Sequence, residues 1–387
     1  MERMIRWKNK TAQDALVSAG IEFERVTIEP NGIRVVFKEL PNRDKLAELA
    51  TYPVFADMEI ESVSNLFARK ITWHDSKTET VAIDSDYYFN LDGDRVNLVG
   101  MYLTTGSLQK PDPFFSPDNL KIYDKELKAL SSKGLRLIHT DMGYARWWAT
   151  TPQEEVAAYK SYLDLLFNHK MLVIPSLVWK DTEMFDIETT PDFSWQVGTG
   201  TDSLGEWTDR ITKILSLYPN IVAVNIDFEF DYKGGQTYTA QQVDTYLKFV
   251  KGIVKFNLDV PVIHKLMGGK WLAENEDIKE VCLANTDIPA MDIYDEDSVV
   301  ANLSYGATDD WLKQRGYNQG WWLMEVNGEK DWGACTDRLN RTFIDKAFIN
   351  NARIASLFGS YINWLPQGSF FDKDGKPVPK LIEVLEG

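Results

Sequence analysis

Cysteine is nearly absent. Cys282 and Cys335 are the only two, too few for a disulfide framework and not spaced as metal ligands, so both are expected to be reduced packing residues. The four histidines (His74, His139, His169 and His264) are scattered with no H-E-x-x-H pattern. That argues against a zinc hydrolase, and neither a metal nor another cofactor is expected. No stretch approaches the roughly 18 consecutive apolar residues of a membrane span, and residues 1–15 show no apolar core or small-residue cleavage site of a leader. Positive charge is also short, 42 Lys and Arg against 58 Asp and Glu, a formal net charge of −16. Such a surface opposes nucleic acid and anionic lipid, and favours a neutral or cationic ligand. Internal repeats and low-complexity segments are missing too.

Aromatic residues, by contrast, are plentiful: 13 Trp, 16 Tyr and 19 Phe. Several follow apolar runs rather than sitting inside them, at Tyr144, Trp147, Trp148, Trp179, Trp271, Trp332 and Trp364. Flat amphipathic rings at strand ends suit the apolar faces of sugars, with an N–H or O–H left for hydroxyls. Filling a large core is the plainer use of the same residues.

Residues 1–75 read as a small α+β unit, with a helix near Thr11–Gly20 and two strands, EFERVTIE and GIRVVFKE, around an Asn31-Gly32 turn. Homo-oligomerisation, attachment or covering the larger domain is the role expected of it. Residues 76–95 form a connection ending in a hairpin around Asp92-Gly93. From 96 to 387, strand-like and helix-like segments alternate at the length of a βα unit. Strands are expected at Val96–Leu103, Leu135–Asp141, Met171–Val178, Ile221–Phe230, Val260–Lys265, Ile288–Tyr294, Gly320–Val326 and Ser360–Leu365. RTFIDKAFINNARIASLFG reads as helical. Eight mostly apolar strands separated by amphipathic helices predict a (β/α)8 barrel, an α/β fold. A doubly wound sheet competes, but no G-x-G-x-x-G or P-loop follows an early strand.

Polar residues gather at the expected carboxyl ends of the strands, where a barrel builds its active site. IVAVNIDFEFD, residues 221–231, is an apolar run passing into strict alternation, so Asn225, Asp227 and Glu229 share one face. GWWLMEVNGEKDW puts Glu325 at the end of the seventh strand. Two carboxylates in one mouth suit glycoside hydrolysis, with about 5–5.5 Å between them for retention and about 6.5–9.5 Å for inversion. Asp227 is either structural or tunes Glu229. His139, Asp141 and His264 are candidate hydroxyl ligands, although lining the barrel is the commoner fate of such histidines. Tyr294 is a candidate to hydrogen-bond Glu325. Asp295, Glu296 and Asp297 read as a solvated acidic loop rather than a Ca²⁺ site.

LYPNIVAVNIDFEF resembles the strand-four signature of clan A retaining glycoside hydrolases, most nearly that of family 42 β-galactosidases. WWLMEVNGEKDW is similar to the strand-seven segment of that family, YINWLPQGSFFD to its strand eight, and FNLDGDRVNLVGMYL to the usual lead-in to strand one. The resemblance covers roughly residues 88–380. It implies Glu229 as acid/base, Glu325 as nucleophile and Trp364 in the floor of the cleavage subsite; Trp179, an aromatic at the third strand end, is expected from its position to touch a carbohydrate substrate. Phe228 stands where the family has Asn, so galactose specificity does not carry over. A weaker resemblance is to family 18 chitinase-like enzymes, through the D-x-E ending of VAVNIDFE and through IPAMDIYD. There Glu229 would act as acid, the substrate's N-acetyl group as nucleophile, and Glu325 would have no part. A carbohydrate-binding barrel without hydrolysis is the reading from outside the enzymes.

Overall fold

The computed structural model describes residues 12–29, 32–37, 66–103, 117–142, 151–177, 204–226, 230–231, 239–330, 333–359 and 369–386. The chain divides into two compact units, 1–65 and 66–387. In the first, residues 12–18 are helical, and Phe23–Glu29 pairs antiparallel with Gly32–Phe37.

The second unit begins with an antiparallel meander of four strands, Phe67–Thr72, Thr78–Ile83, Phe89–Leu91 and Asp94–Val96. Its last hairpin turns at Asp92 and Gly93, both at positive φ (52° and 93°), the backbone that an Asp-Gly pair adopts readily. Because Phe67–Thr72 is laddered along its whole length to Thr78–Ile83, residues 66–75 belong with this sheet. The division falls at Asn65/Leu66, ahead of the boundary near residue 75 read from the sequence.

Eight parallel strands follow: β1 (Leu98–Leu103), β2 (Leu137–Asp141), β3 (Leu172–Ser176), β4 (Val224–Asn225), β5 (Val262–Met267), β6 (Ile288–Asp295), β7 (Trp321–Lys330) and β8 (Ala352–Phe358). Each pairs with the next, and β8 pairs with β1, closing a (β/α)8 barrel. Helices α1 (Pro117–Ser132), α2 (Pro152–Asn168), α3 (Leu204–Leu215), α4 (Ala240–Asn257), α5 (Glu276–Asn285), α6 (Ser298–Gln314), α7 (Arg341–Ile349) and α8 (Pro379–Glu386) follow the strands in order. Among the described residues, no helix is long and apolar enough to cross a membrane.

Local sequence sets the helix starts. Thr151 accepts from the Glu154 amide ahead of Pro152, Thr239 and Gln242 form a capping box, and Asp297 and Asn340 cap α6 and α7. The eighth strand differs from expectation. Helix α7 stops at Ile349, Asn351 turns the chain at φ 72°, and Ala352–Phe358 enters the sheet between β7 and β1. Short buried apolar runs fit either period, so ARIASLF read as a helix until its neighbours decided otherwise. Ser360–Leu365, expected as that strand, lies outside the described residues.

The meander caps the amino-terminal end of the barrel. Phe89 stacks on Trp322, with ring centroids 5.5 Å apart, and the Trp322 indole donates to the Tyr87 carbonyl. Arg136, just before β2, pairs with Glu79, and Lys170, just before β3, with Asp75. Arg353 at the start of β8 donates to the Asp86 carbonyl. Gly320, leading into β7 at φ 122°, cannot take a side chain, because a Cβ would lie 2.7 Å from both the Asn351 carbonyl and the Arg353 guanidinium. With that end closed, chemistry is left to the carboxyl ends.

Glu126 on α1 is a buried acid outside that region. Burial, and then the charge of Asp372, raise its pKa from the usual 4.5 to about 8. Between those values the folded chain holds a proton that the unfolded chain releases, so stability falls as pH rises through the window. Glu126→Gln, which cannot ionise, is therefore expected to melt near the wild type at about pH 5 and increasingly above it towards about pH 9. Paired melting curves across that range check this; a constant difference between the two proteins contradicts it.

Candidate functional site

Inside a barrel, every second residue of each strand points at the axis. Parity selects Tyr102 on β1, His139 and Asp141 on β2, Ser176 on β3, Asn225 on β4, Lys265 on β5, Asp292 and Tyr294 on β6, and Glu325 on β7. Register confirms the set: Tyr102 lies beside His139, Asp141 beside Ser176, Ser176 beside Asn225, and Asp292 beside Glu325. All but the half-buried Tyr294 are buried.

Two networks meet at this mouth. In one, Lys265 Nζ bonds Glu325 Oε1 and lies 3.1 Å from Asp292 Oδ2, while the Tyr294 hydroxyl donates to Glu325 Oε2. Each oxygen of Glu325 thus accepts from a different strand, which fixes the plane of the carboxylate. In the other, the Tyr102 hydroxyl donates to Asp141, its ring stacks on His139 with centroids 4.0 Å apart, and His139 Nε2 and Asn225 Nδ2 both bond Ser176 Oγ. The ammonium of Lys265 lies 5.0 Å from the Tyr102 ring centroid and joins the two networks. Burial, and then the positive charge of Lys265, hold the His139 pKa well below its ordinary value, so the ring is neutral.

The structure brings together Glu325, Tyr294, His139, Asp141 and Asn225 of the residues singled out from sequence. His264 is not among them. Its parity is opposite to that of Lys265, it lies near Lys251 and Asp287 on the helical side of β5, and burial pushes its pKa down to about 3. Glu229, Asp227, Trp179 and Trp364 lie outside the described residues. The acidic run divides. Asp295 is buried and accepts from Ser304, with its pKa pushed up to about 6 chiefly by burial; Asp297 caps α6; Glu296 is exposed.

Sequence reasoning counted Lys265 and Asp292 among the polar strand-end residues without giving them a role, and passed over Tyr102 and Ser176. The missed signal was parity on β5, since only one of His264 and Lys265 can face the axis, and Met267 beside Asp292 shows that the odd-numbered positions do. Asn327, two residues beyond Glu325, serves the backbone, donating to the Phe358 carbonyl at 2.6 Å and accepting from the Gly328 amide at 2.7 Å.

No family model matches the sequence, and no curated protein matches it in sequence. Solved structures do match. The chain is similar to an exo-β-1,4-mannosidase from an Opitutaceae bacterium (TM-score 0.57, 15% identity, covering 79% of this chain and 61% of that one). It is also similar to a GH5_18 protein from Bifidobacterium longum subsp. longum in complex with Manβ1-4GlcNAc (0.55, 14%, 75% and 77%). A third is a glycoside hydrolase family 5 mannosidase from Rhizomucor miehei (0.52, 14%, 79% and 96%). At such identities the likeness is one of fold, and the barrel is shared with family 5 proteins.

Just beyond the β4 region, Asp231 and Lys279 form an ion pair at 2.7 Å, both fully buried. The same Asp231 oxygen accepts from the Met267 amide at 2.9 Å, and the Asp231 carbonyl accepts from Asn275 at 2.6 Å. The chain two residues past position 229 is thereby tied to the end of β5 and the start of α5. Lys279→Met would leave the carboxylate buried without its cation, at a cost of about 3–5 kcal/mol, and adding Asp231→Asn is expected to recover much of it. Urea unfolding of the two variants measures both effects.

Proposed function

We propose that this chain is a retaining glycoside hydrolase acting on a β-linked glycan. The observation that carries the reading is the state of Glu325: buried midway along β7 beside Asp292 of β6, with one oxygen bonded to an ammonium and the other to a phenol. That is the environment of a carboxylate kept ionised and aimed, as a nucleophile must be. The barrel likeness to proteins described as an exo-β-1,4-mannosidase and a family 5 mannosidase supports the reaction class and makes β-mannosides the first substrates to try.

In the proposed reaction Glu325 attacks the anomeric carbon while Glu229 protonates the leaving oxygen; Glu229 then takes a proton from water, which releases the glycosyl-enzyme with retained configuration. Asp141, Asn225 and His139 line the mouth as hydroxyl partners, and Trp179, Trp364 and Asp227 are proposed to complete it. The surplus of negative charge fits a neutral substrate.

The test is a panel of aryl β-glycosides, with product configuration followed by NMR immediately after cleavage. Glu325→Gln is expected to lower turnover by roughly 10⁴-fold or more with sugar binding retained. Near-normal turnover in that variant removes Glu325 from the chemistry; paired with a preference for N-acetylated sugars, it points to substrate assistance as in family 18. Binding without cleavage by the wild type identifies a carbohydrate-binding barrel. Tyr294→Phe, which removes one donor to Glu325, is expected to lower kcat by about 10²-fold with little change in KM. Steady-state kinetics on the best substrate of the panel checks it.

A further inference from the structure

Asp292 and Glu325 are register partners on adjacent parallel strands, so two carboxylates stand side by side where little water reaches. Alone, such a pair opposes joint ionisation and one member takes up a proton. Here one cation serves both: Lys265 Nζ is bonded to Glu325 and lies 3.1 Å from Asp292, and the Lys265 and Glu325 side chains are each only 5% exposed. Flanked by two acids, the lysine is held as an ammonium and not as an amine nucleophile.

We propose that Lys265 is a positioning residue shared between Glu325 and Asp292, which holds Glu325 ionised in the free protein and keeps Asp292 as its counter-ion once Glu325 is esterified. The second half of this role rests on the reading of Glu325 as the nucleophile. In that step the carboxylate forms a C–O bond to the anomeric carbon, the glycosidic C–O bond breaks, and the leaving oxygen takes the acid's proton. The carboxylate charge disappears into a neutral ester. Without Asp292 the buried ammonium would then lose both of the carboxylates described beside it, and the covalent intermediate would carry that cost. With Asp292 in place the site passes between one bridged pair and one simple ion pair, and no buried charge is left alone.

Among the described residues, the other ionisable groups near Glu325 are Tyr294 and Asp292 from β6, Lys265 from β5, Tyr102 from β1, and His139 and Asp141 from β2. On β8 the axis-facing residues that are described, Ser356 and Phe358, register with Gly100 and Tyr102 and carry no charge. His139 is neutral and Asp141 is engaged by Tyr102. Among the described residues, Lys265 is therefore the cation in contact with Glu325.

The experiment is a pH titration of the full-length protein labelled with [δ-¹³C]glutamate, the Glu325 signal being assigned by its loss in Glu325→Gln. Lys265→Met and Lys265→Gln are expected to raise the Glu325 midpoint by about 1–3 pH units, and Lys265→Arg to leave it near the wild type. The Gln variant preserves hydrogen bonding, and so keeps the test available if the Met variant fails to fold. A midpoint that does not move in either neutral variant overturns the proposal. On a turned-over β-glycoside, the acid limb of kcat/KM should move upward in the same variants, with kcat/KM lower by roughly 10²-fold and restored in part by Lys265→Arg. A limb that stays put while activity falls reduces Lys265 to a structural role and overturns the positioning one. Because the titration needs no substrate, a protein that cleaves no glycoside refutes the proposed reaction, while the electrostatic role of Lys265 is still decided by the midpoint.

Discussion

Closure of the sheet is the constraint on which the rest depends. Once β8 pairs with β7 on one side and β1 on the other, and β6 pairs with β7, no strand edge is left, and parity decides which side chains enter a narrow interior. The meander fills the amino-terminal end by stacking Phe89 on Trp322 of β7, whose indole donates to the Tyr87 carbonyl. The polar residues at the carboxyl ends are thereby confined to the opposite mouth, crowded enough that each must find a partner among the others.

That crowding explains why the site is a network. A buried acid is costly unless it is paired or hydrogen-bonded. Asp141 is satisfied by Tyr102, Glu325 by Lys265 and Tyr294, and Asp292 shares Lys265. Burial first and the charge of Lys265 second depress the basicity of His139, so one cation touches or biases groups from β2 to β7. The Asp231–Lys279 pair does comparable work just outside the mouth, tying the chain beyond β4 to β5 and α5.

Much of this was legible in the chain. Eight apolar runs spaced by amphipathic helices are a barrel's pattern, and helix starts such as Thr151-Pro152 and Thr239 with Gln242 follow from capping chemistry alone. Glu325 and Tyr294 stood out because each is polar at the end of an apolar strand. Failures came where local pattern is degenerate. ARIASLF fits a helix as well as a buried strand until β7 and β1 offer it ladder partners, and His264 looked a better ligand than Lys265 because residue type was weighed ahead of facing.

By itself, then, the sequence determined the period of most segments, the positions of caps and turns, and the carboxylates on barrel strands such as Asp141 and Glu325, since these depend on neighbours within a few residues. Tertiary structure decided which member of each adjacent pair faces the axis, which strand completes the ring, and that Asp292 and Glu325 share Lys265. Those outcomes rest on pairing between strands tens of residues apart, and spacing along the chain carries no record of distance across the barrel.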